Sequence, residues 1–267
     1  MSLLFAANLF YDFNIPKMKL NNPHPFLLSV VIFSFNICFV QVANAQLSVG
    51  IEGGYNKNYL VTNNANRAFT NYLPMNGFTV GVPLQYKIAD WFAIEADPTY
   101  VQKNYSQQRS AFFVGVYQEN KNAYVQLPLM GHFMFGGEQL KGFLNVGMYE
   151  GYWLTGHVNG IMPNILDINE SQNSGTTVYD FENSYSYNEK YAFDKRKDDR
   201  MEAGWIGGLG LSYEINGQFQ VFTEGRLLYS FTDQQKKYMV DQVPRYNTTY
   251  GINAGIMIHF NNMQTNH

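Results

Sequence analysis

Apolar and polar residues alternate with a period of two along most of the chain after residue 46, and this is the strand period. The alternation predicts eight strands, at 47–55, 78–87, 92–101, 124–135, 143–154, 201–213, 219–231 and 250–260. Most are about 9–13 residues long, close to the roughly 9–11 residues that a tilted strand needs to cross a bilayer and longer than a typical soluble strand. The connections alternate between short and long. Ala89-Asp90, Gly136-Gly137-Glu138 and Asn216-Gly217 are tight turns, whereas 56–77, 102–123, 155–200 and 232–249 are long. Four long loops are rare in a soluble domain, and this arrangement is that of an outer-membrane barrel. The predicted fold is all-β: an eight-stranded antiparallel up-and-down transmembrane β-barrel over 46–260, with both ends on the short-turn side and a short tail at 261–267.

The two strand faces differ in chemistry. One carries Val49, Ile51, Val80, Val82, Ile94, Leu127, Leu144, Trp205, Leu209, Leu227, Ile252 and Ile256. The other carries Glu52, Lys87, Glu95, Asp97, His132, Glu202, Glu224, Arg226 and His259, with many glycines, among them Gly54, Gly81, Gly147, Gly208 and Gly255. Periodicity alone does not say which face points inward. The glycines favour an inward polar face, because a narrow eight-stranded lumen suits small residues. Aromatic residues at strand ends (Tyr55, Tyr86, Phe92, Phe135, Tyr213, Phe219, Phe231, Tyr250 and Phe260) fit girdles at the two lipid–water boundaries. Glu150 falls on the apolar parity, which calls for a rim position or a bulge that resets the register. Pro83, Pro98 and Pro128 lie inside predicted strands and call for bulges or rim positions too.

Composition explains how this pattern coexists with a mean hydropathy of −0.26. Charged residues are only 15% and aromatics 16% of 267 residues, and the net charge is −3. The chain is too polar for a bundle of membrane helices and too aromatic for disorder, and its charge gives no reason to expect nucleic acid. The one cysteine excludes a disulfide scaffold and a thiolate zinc site. Residues 1–45 read as a cleaved export signal: Met18-Lys19 opens a basic segment, 26–40 is apolar, and Ala43-Asn44-Ala45 precedes Gln46. Met18 is the expected initiator, so 1–17 read as an over-extended start. Cys38 would leave with this segment.

The last predicted strand ends in Asn253-Ala254-Gly255-Ile256-Met257-Ile258-His259-Phe260, which looks like the C-terminal signal read by the barrel assembly machinery, with Asn253, Gly255, Ile258 and Phe260 at its defining positions. Upstream, Asn76-Gly77-Phe78-Thr79-Val80-Gly81-Val82, Trp91-Phe92-Ala93-Ile94-Glu95, Pro98-Thr99-Tyr100, Tyr124-Val125-Gln126-Leu127-Pro128-Leu129 and Gly142-Phe143-Leu144-Asn145-Val146-Gly147 follow one another. This succession resembles the PorT-like outer-membrane β-barrel family of Bacteroidota. The resemblance implies an outer-membrane location in a Gram-negative envelope, prolines inside strands and, in one branch, association with protein secretion.

The inward charges are expected to form a buried ion-pair network that plugs the lumen, since eight strands leave room for little more than side chains. Glu224 and Arg226 share a face and can pair. Five acids against Lys87 and Arg226 are unbalanced, so a carboxyl must hold a proton or His132 or His259 must carry charge. A small porin-like channel is the alternative. A lipid-modifying enzyme is a third reading, carried by His157 or His132 with a serine, but no spacing supports it. No catalytic residue, metal or cofactor is expected. The expected partners are outer-membrane lipid, the assembly machinery, and a protein partner met through the loops 155–200 and 232–249, the first of which is rich in tyrosine.

Overall fold

The computed structural model describes residues 46–62, 69–110, 115–163, 169–173, 176–180, 184–240 and 242–260. The predicted export signal 1–45, with Met18 and Cys38, and the tail 261–267 lie outside them. The strands are β1 (Gln46–Val61), β2 (Thr70–Gly81), β3 (Leu84–Ala89), β4 (Phe92–Ala96), β5 (Thr99–Gln102), β6 (Tyr105–Arg109), β7 (Tyr117–Gly136), β8 (Leu140–Pro163), β9 (Asn169–Asn173), β10 (Thr176–Asp180), β11 (Ser184–Lys190), β12 (Met201–Asn216), β13 (Phe219–Ser230) and β14 (Tyr246–Phe260). Twelve of them form one antiparallel sheet, and β9 and β10 form a separate hairpin.

The sheet closes on itself. β7, β8, β12, β13, β14 and β1 pair in succession, β1 pairs with both β2 and β3, β3 pairs with β4, and β4, β5 and β6 all return to β7. The closing seam is continuous from Leu47↔Phe260 to Val61↔Tyr246. Closure removes the free edges that an open sheet would present to lipid.

Twelve sheet strands replace the eight expected segments: proline breaks add two, and β6 and β11, within segments read as loops, add the other two. The predicted strand 78–87 is cut at Val82-Pro83 and the predicted strand 92–101 at Asp97-Pro98. Proline brings no N–H to a ladder, but its carbonyl still accepts. Gly50 N–H donates to Pro83 O at 2.8 Å, Val82 N–H to Pro98 O at 3.1 Å, and Asp97 N–H to Pro128 O at 3.1 Å. The three prolines thus step across neighbouring strands, and Pro128 stays within an unbroken β7. The long connections are also shorter than expected. β1, β2, β7, β8 and β14 run well into the segments read as loops, and β6 and β11 lie wholly inside them.

The structure decides the orientation that periodicity left open. The apolar face points outward: Ile51, Ile252, Leu209, Trp205, Leu211 and Val80 are all more than half exposed. Among the described residues, 30 polar side chains are buried against 13 apolar ones. A closed apolar belt of this extent belongs in lipid, because in water it would aggregate. Glu150 is exposed on this outer face, still in register opposite Leu127 and Ala203. The bulge is further along, where Tyr124 pairs with Trp153 and Ala123 with Thr155. Inside, glycine makes room for the polar groups. A Cβ at Gly208 would collide with the Glu224 carboxyl, and one at Gly54 with the Asn253 amide.

Candidate functional site

The site is the lumen itself. Arg226 on β13 sits at its middle, with Nη1 2.9 Å from Glu52 Oε1 and 2.7 Å from Asp97 Oδ2, and Nε 3.0 Å from Glu224 Oε2. These partners come from β1, from the β4–β5 break and from β13, so one guanidinium crosses the lumen. The planar fork of arginine suits this clamp, since it can hold several carboxylates at fixed angles. The network continues in both directions. Asn253 Nδ2 donates to Glu52 at 2.8 Å, and Asn145 Nδ2 donates to Glu224 at 3.0 Å. His132 Nδ1 is 2.7 Å from Asn145 Oδ1 and 3.4 Å from Glu95 Oε2, and Gln85 donates to Glu95 at 2.6 Å.

A second cluster lies toward the long-loop end. Lys103, fully buried, is bonded to Glu202. Its ammonium lies 4.7 Å from the Tyr149 ring centroid and 5.3 Å from that of Tyr124, a cation–π arrangement. Tyr149 donates to Glu202 at 2.8 Å and Asn247 to its other oxygen at 2.6 Å. Asn58 and Thr249 extend the chain from Asn247.

The expected site residues therefore divide. Glu52, Asp97, Glu224 and Arg226 meet directly, Glu95 and His132 join through Asn145, and Glu202 belongs to the second cluster. Lys87 does not join either. It pairs with Asp90 at 2.9 Å in the β3–β4 turn, because its place at the strand end puts its side chain at the rim. The second lumenal cation is Lys103, which sequence reading left in a loop. The inward parity of Glu95, Asp97, Thr99 and Val101 would have reached it if extended one step further. His259 joins neither cluster: its ring meets Ser48 at 2.6 Å and its backbone N–H donates to Gln218 O at 2.9 Å, near the short-turn end. Among the described residues, His157 is 2.5 Å from Asn188 and bonds to no serine, and His132 meets a carboxylate but no serine. Of the residues expected to form an assembly signal, Asn253 points inward to Glu52, Gly255 faces Ile51 O and the Phe222 ring, and Ile258 and Phe260 point outward.

Two small cavities flank the Arg226 clamp, each of about 10 Å³, room for roughly one water molecule. One is lined by Asn56, Gln126 and Arg226, the other by Gln85, Glu95 and Glu224.

An aromatic roof covers the second cluster. Trp153 stacks on Tyr124 and Tyr191 at centroid distances of 5.9 and 5.3 Å and meets Phe193 edge-on at 4.8 Å. Arg200 lies 4.1 Å from the Phe193 ring and donates to the carbonyls of Trp153 and Leu154. Tyr191 donates to Asp198 at 2.8 Å, and burial followed by this carboxylate pushes its phenol above the ordinary range, so it remains a donor. The other long loop locks on through Asp198↔Gln235, and Gln234 reaches Tyr124 at 2.9 Å. Residues 191–200 are thus anchored through Tyr191, Phe193, Asp198 and Arg200, with Lys195, Arg196 and Lys197 exposed, while β11 extends the barrel hairpin of β8. Trp153→Ala should release this segment: tryptic cleavage after Lys195, Arg196 or Lys197 should accelerate about tenfold or more, with the barrel still heat-modifiable on gels. An unchanged cleavage rate would mean that Trp153 does not hold the roof.

A closed sheet with lipid-suited residues outside and charge inside defines an outer-membrane β-barrel. Residues 39–235 match the family model described as outer membrane protein beta-barrel domain, and the chain belongs to that family. No curated protein matches the chain. Among solved structures, similarity extends to Neisserial surface protein A (11% identity, 80% of this chain and 97% of that one, TM-score 0.43). It also extends to OprG of Pseudomonas aeruginosa (11%, 82% and 97%, 0.43) and to the outer-membrane protease OmpT of Escherichia coli (9%, 82% and 97%, 0.44).

Proposed function

We propose that the protein is an eight-stave outer-membrane barrel with a plugged lumen, whose task is structural or interactive and is exerted through its long-loop face. The eight-stave count follows if β2 with β3, β4 with β5 and β6, and β11 with β12, which both pair with β8, are single traverses interrupted at Val82-Pro83, at Asp97-Pro98 and Lys103-Asn104, and at 191–200. The observation that carries the plug is the Arg226 clamp, which ties β13 to Glu52 on β1 and to Asp97 across the lumen. The long loops, knitted to each other above this plug, are the surface that a partner would meet. Residues 1–45 serve as the export signal, and Asn253, Gly255, Ile258 and Phe260 serve as the assembly signal on the strand that closes the barrel against β1.

Planar-bilayer recording of the purified, folded protein tests this reading. No steady conductance is expected, because side chains fill the lumen. A steadily open pore would replace the plug with the porin-like alternative.

A further inference from the structure

The segment Asp194-Lys195-Arg196-Lys197-Asp198-Asp199-Arg200 is close to charge-balanced as a sequence. Folding separates its charges. Asp198 is buried and accepts from Tyr191 Oη and from the Asp194 N–H, and Asp199 accepts from the Met201 N–H. Asp194 accepts from the Arg196 N–H at 2.8 Å and lies 3.4 Å from the Arg196 guanidinium. On the second loop, Asp233 accepts from the N–H groups of Gln235 and Arg245. Asp198 is buried, Asp199 and Asp233 are half-buried and Asp194 is paired with Arg196, while Lys195, Lys197, Lys236 and Lys237 are exposed with no carboxylate at ion-pair distance among the described residues.

The two loops bring Lys195 and Lys197 beside Lys236 although some 40 residues separate them in the chain. Lys236 N–H donates to Lys197 O at 2.8 Å, and Lys236 Nζ reaches Lys195 O at 3.2 Å. Beside them is an apolar tip: Tyr238 lies 5.7 Å from the Lys197 ammonium, and Met239 and Val240 are 55% and 101% exposed. Asp241 lies outside the described residues. This face is close to the lipid-facing belt. Lys197 is four residues from outward-facing Met201, and Lys236 is five from outward-facing Phe231, so neither backbone is more than about 18 Å from that belt.

We propose that this cationic face binds the phosphate groups of lipid headgroups in the outer leaflet, with Tyr238, Met239 and Val240 resting at the headgroup–acyl boundary. The proposal rests on the reading of the chain as a membrane barrel with a contact surface on its long loops. Charge complementarity favours phosphate, and lysine is a strongly hydrated point charge suited to it. The adjoining apolar tip favours a lipid over a free polyanion, for which exposed Met239 and Val240 offer nothing.

The test uses the full chain folded into phosphatidylcholine nanodiscs. Bis-phosphorylated lipid A, the same lipid after enzymatic removal of its phosphates, and soluble polyphosphate are titrated separately at low and high salt. Lipid A is expected to bind in a salt-sensitive manner and at least about tenfold more tightly than its dephosphorylated form. The combined Lys195→Gln, Lys197→Gln, Lys236→Gln and Lys237→Gln variant should lose at least about tenfold in affinity, while the four matching Lys→Arg changes should retain it. Equal binding of the two lipids, undiminished binding by the Gln variant, or preference for polyphosphate over lipid A would overturn the proposal. If the Gln variant does not fold, the comparison of the two lipids on the unaltered chain still decides. Heat-modifiable migration and nanodisc insertion are scored separately, so a failure of the barrel reading is distinguishable from a failure of this one.

Discussion

Replacing Arg226 by methionine should destabilise the folded barrel by about 3–5 kcal/mol, read as a large fall in the urea midpoint of the heat-modifiable form at neutral pH. The guanidinium has three carboxylate partners, all nearly excluded from solvent. Removing it leaves Glu52, Asp97 and Glu224 close together with no cation among them. Asn253 and Asn145 still donate to two of them, but a neutral amide offsets little of the repulsion between like charges. Adding Glu52→Gln, Asp97→Asn and Glu224→Gln to Arg226→Met should return most of the loss, because the cost lies in unpaired buried charge and not in missing volume. An unchanged midpoint in the single variant would show that the lumen admits enough water to solvate those carboxylates, and the plug reading would fall with it.

Lys103→Met should be the next most damaging change, costing about 3 kcal/mol by the same measurement. Glu202 then keeps the Tyr149 hydroxyl, the Asn247 amide and Gln126 as donors, so it is better supplied than the Arg226 partners and the loss is smaller. Glu202→Gln in the Lys103→Met background should recover most of it. A double-mutant cycle over the two positions therefore predicts strong coupling, and additivity of the single changes would mean that the pair does not act as a unit. The corresponding cycle for Lys87 and Asp90 should give almost nothing, since Asp90 is fully solvent-exposed.

The contrast between Lys87 and Lys103 marks where sequence reading stops. Both lie on inward parity once the alternation of the third predicted strand is carried past Val101. Lys87 is at a turn and bends to the rim. Lys103 is in a stretch where short strands break and resume, and only the ladder through β7 carries it into the lumen. Its place is fixed by its amide donating to Asn122 O at 2.8 Å, a partner 19 residues away. The prolines were visible as an objection to continuous strands, but not as a stepped series whose carbonyls serve the next strand. The roof was legible only as a tyrosine-rich loop, because stacking of Trp153 on Tyr191 depends on how 191–200 folds back. The charge sorting on the long-loop face was hidden for the same reason: a mixed run of Asp and Lys does not reveal which groups turn toward backbone amides.

The sequence by itself determined the strand period, the tight turns, the two chemically distinct faces and the inventory of acids and bases on the polar one. These follow from local rules, since alternate side chains on a strand must point to opposite sides and tight turns need particular residues. Only the tertiary structure decided that the apolar face is the outer one, that Lys103 and not Lys87 is the second lumenal cation, and that the sheet divides into twelve strands, two of them at proline breaks. Those outcomes depend on closure of the sheet. Closure fixes inside and outside at once, and it brings residues as distant as Glu52 and Arg226 within hydrogen-bond reach.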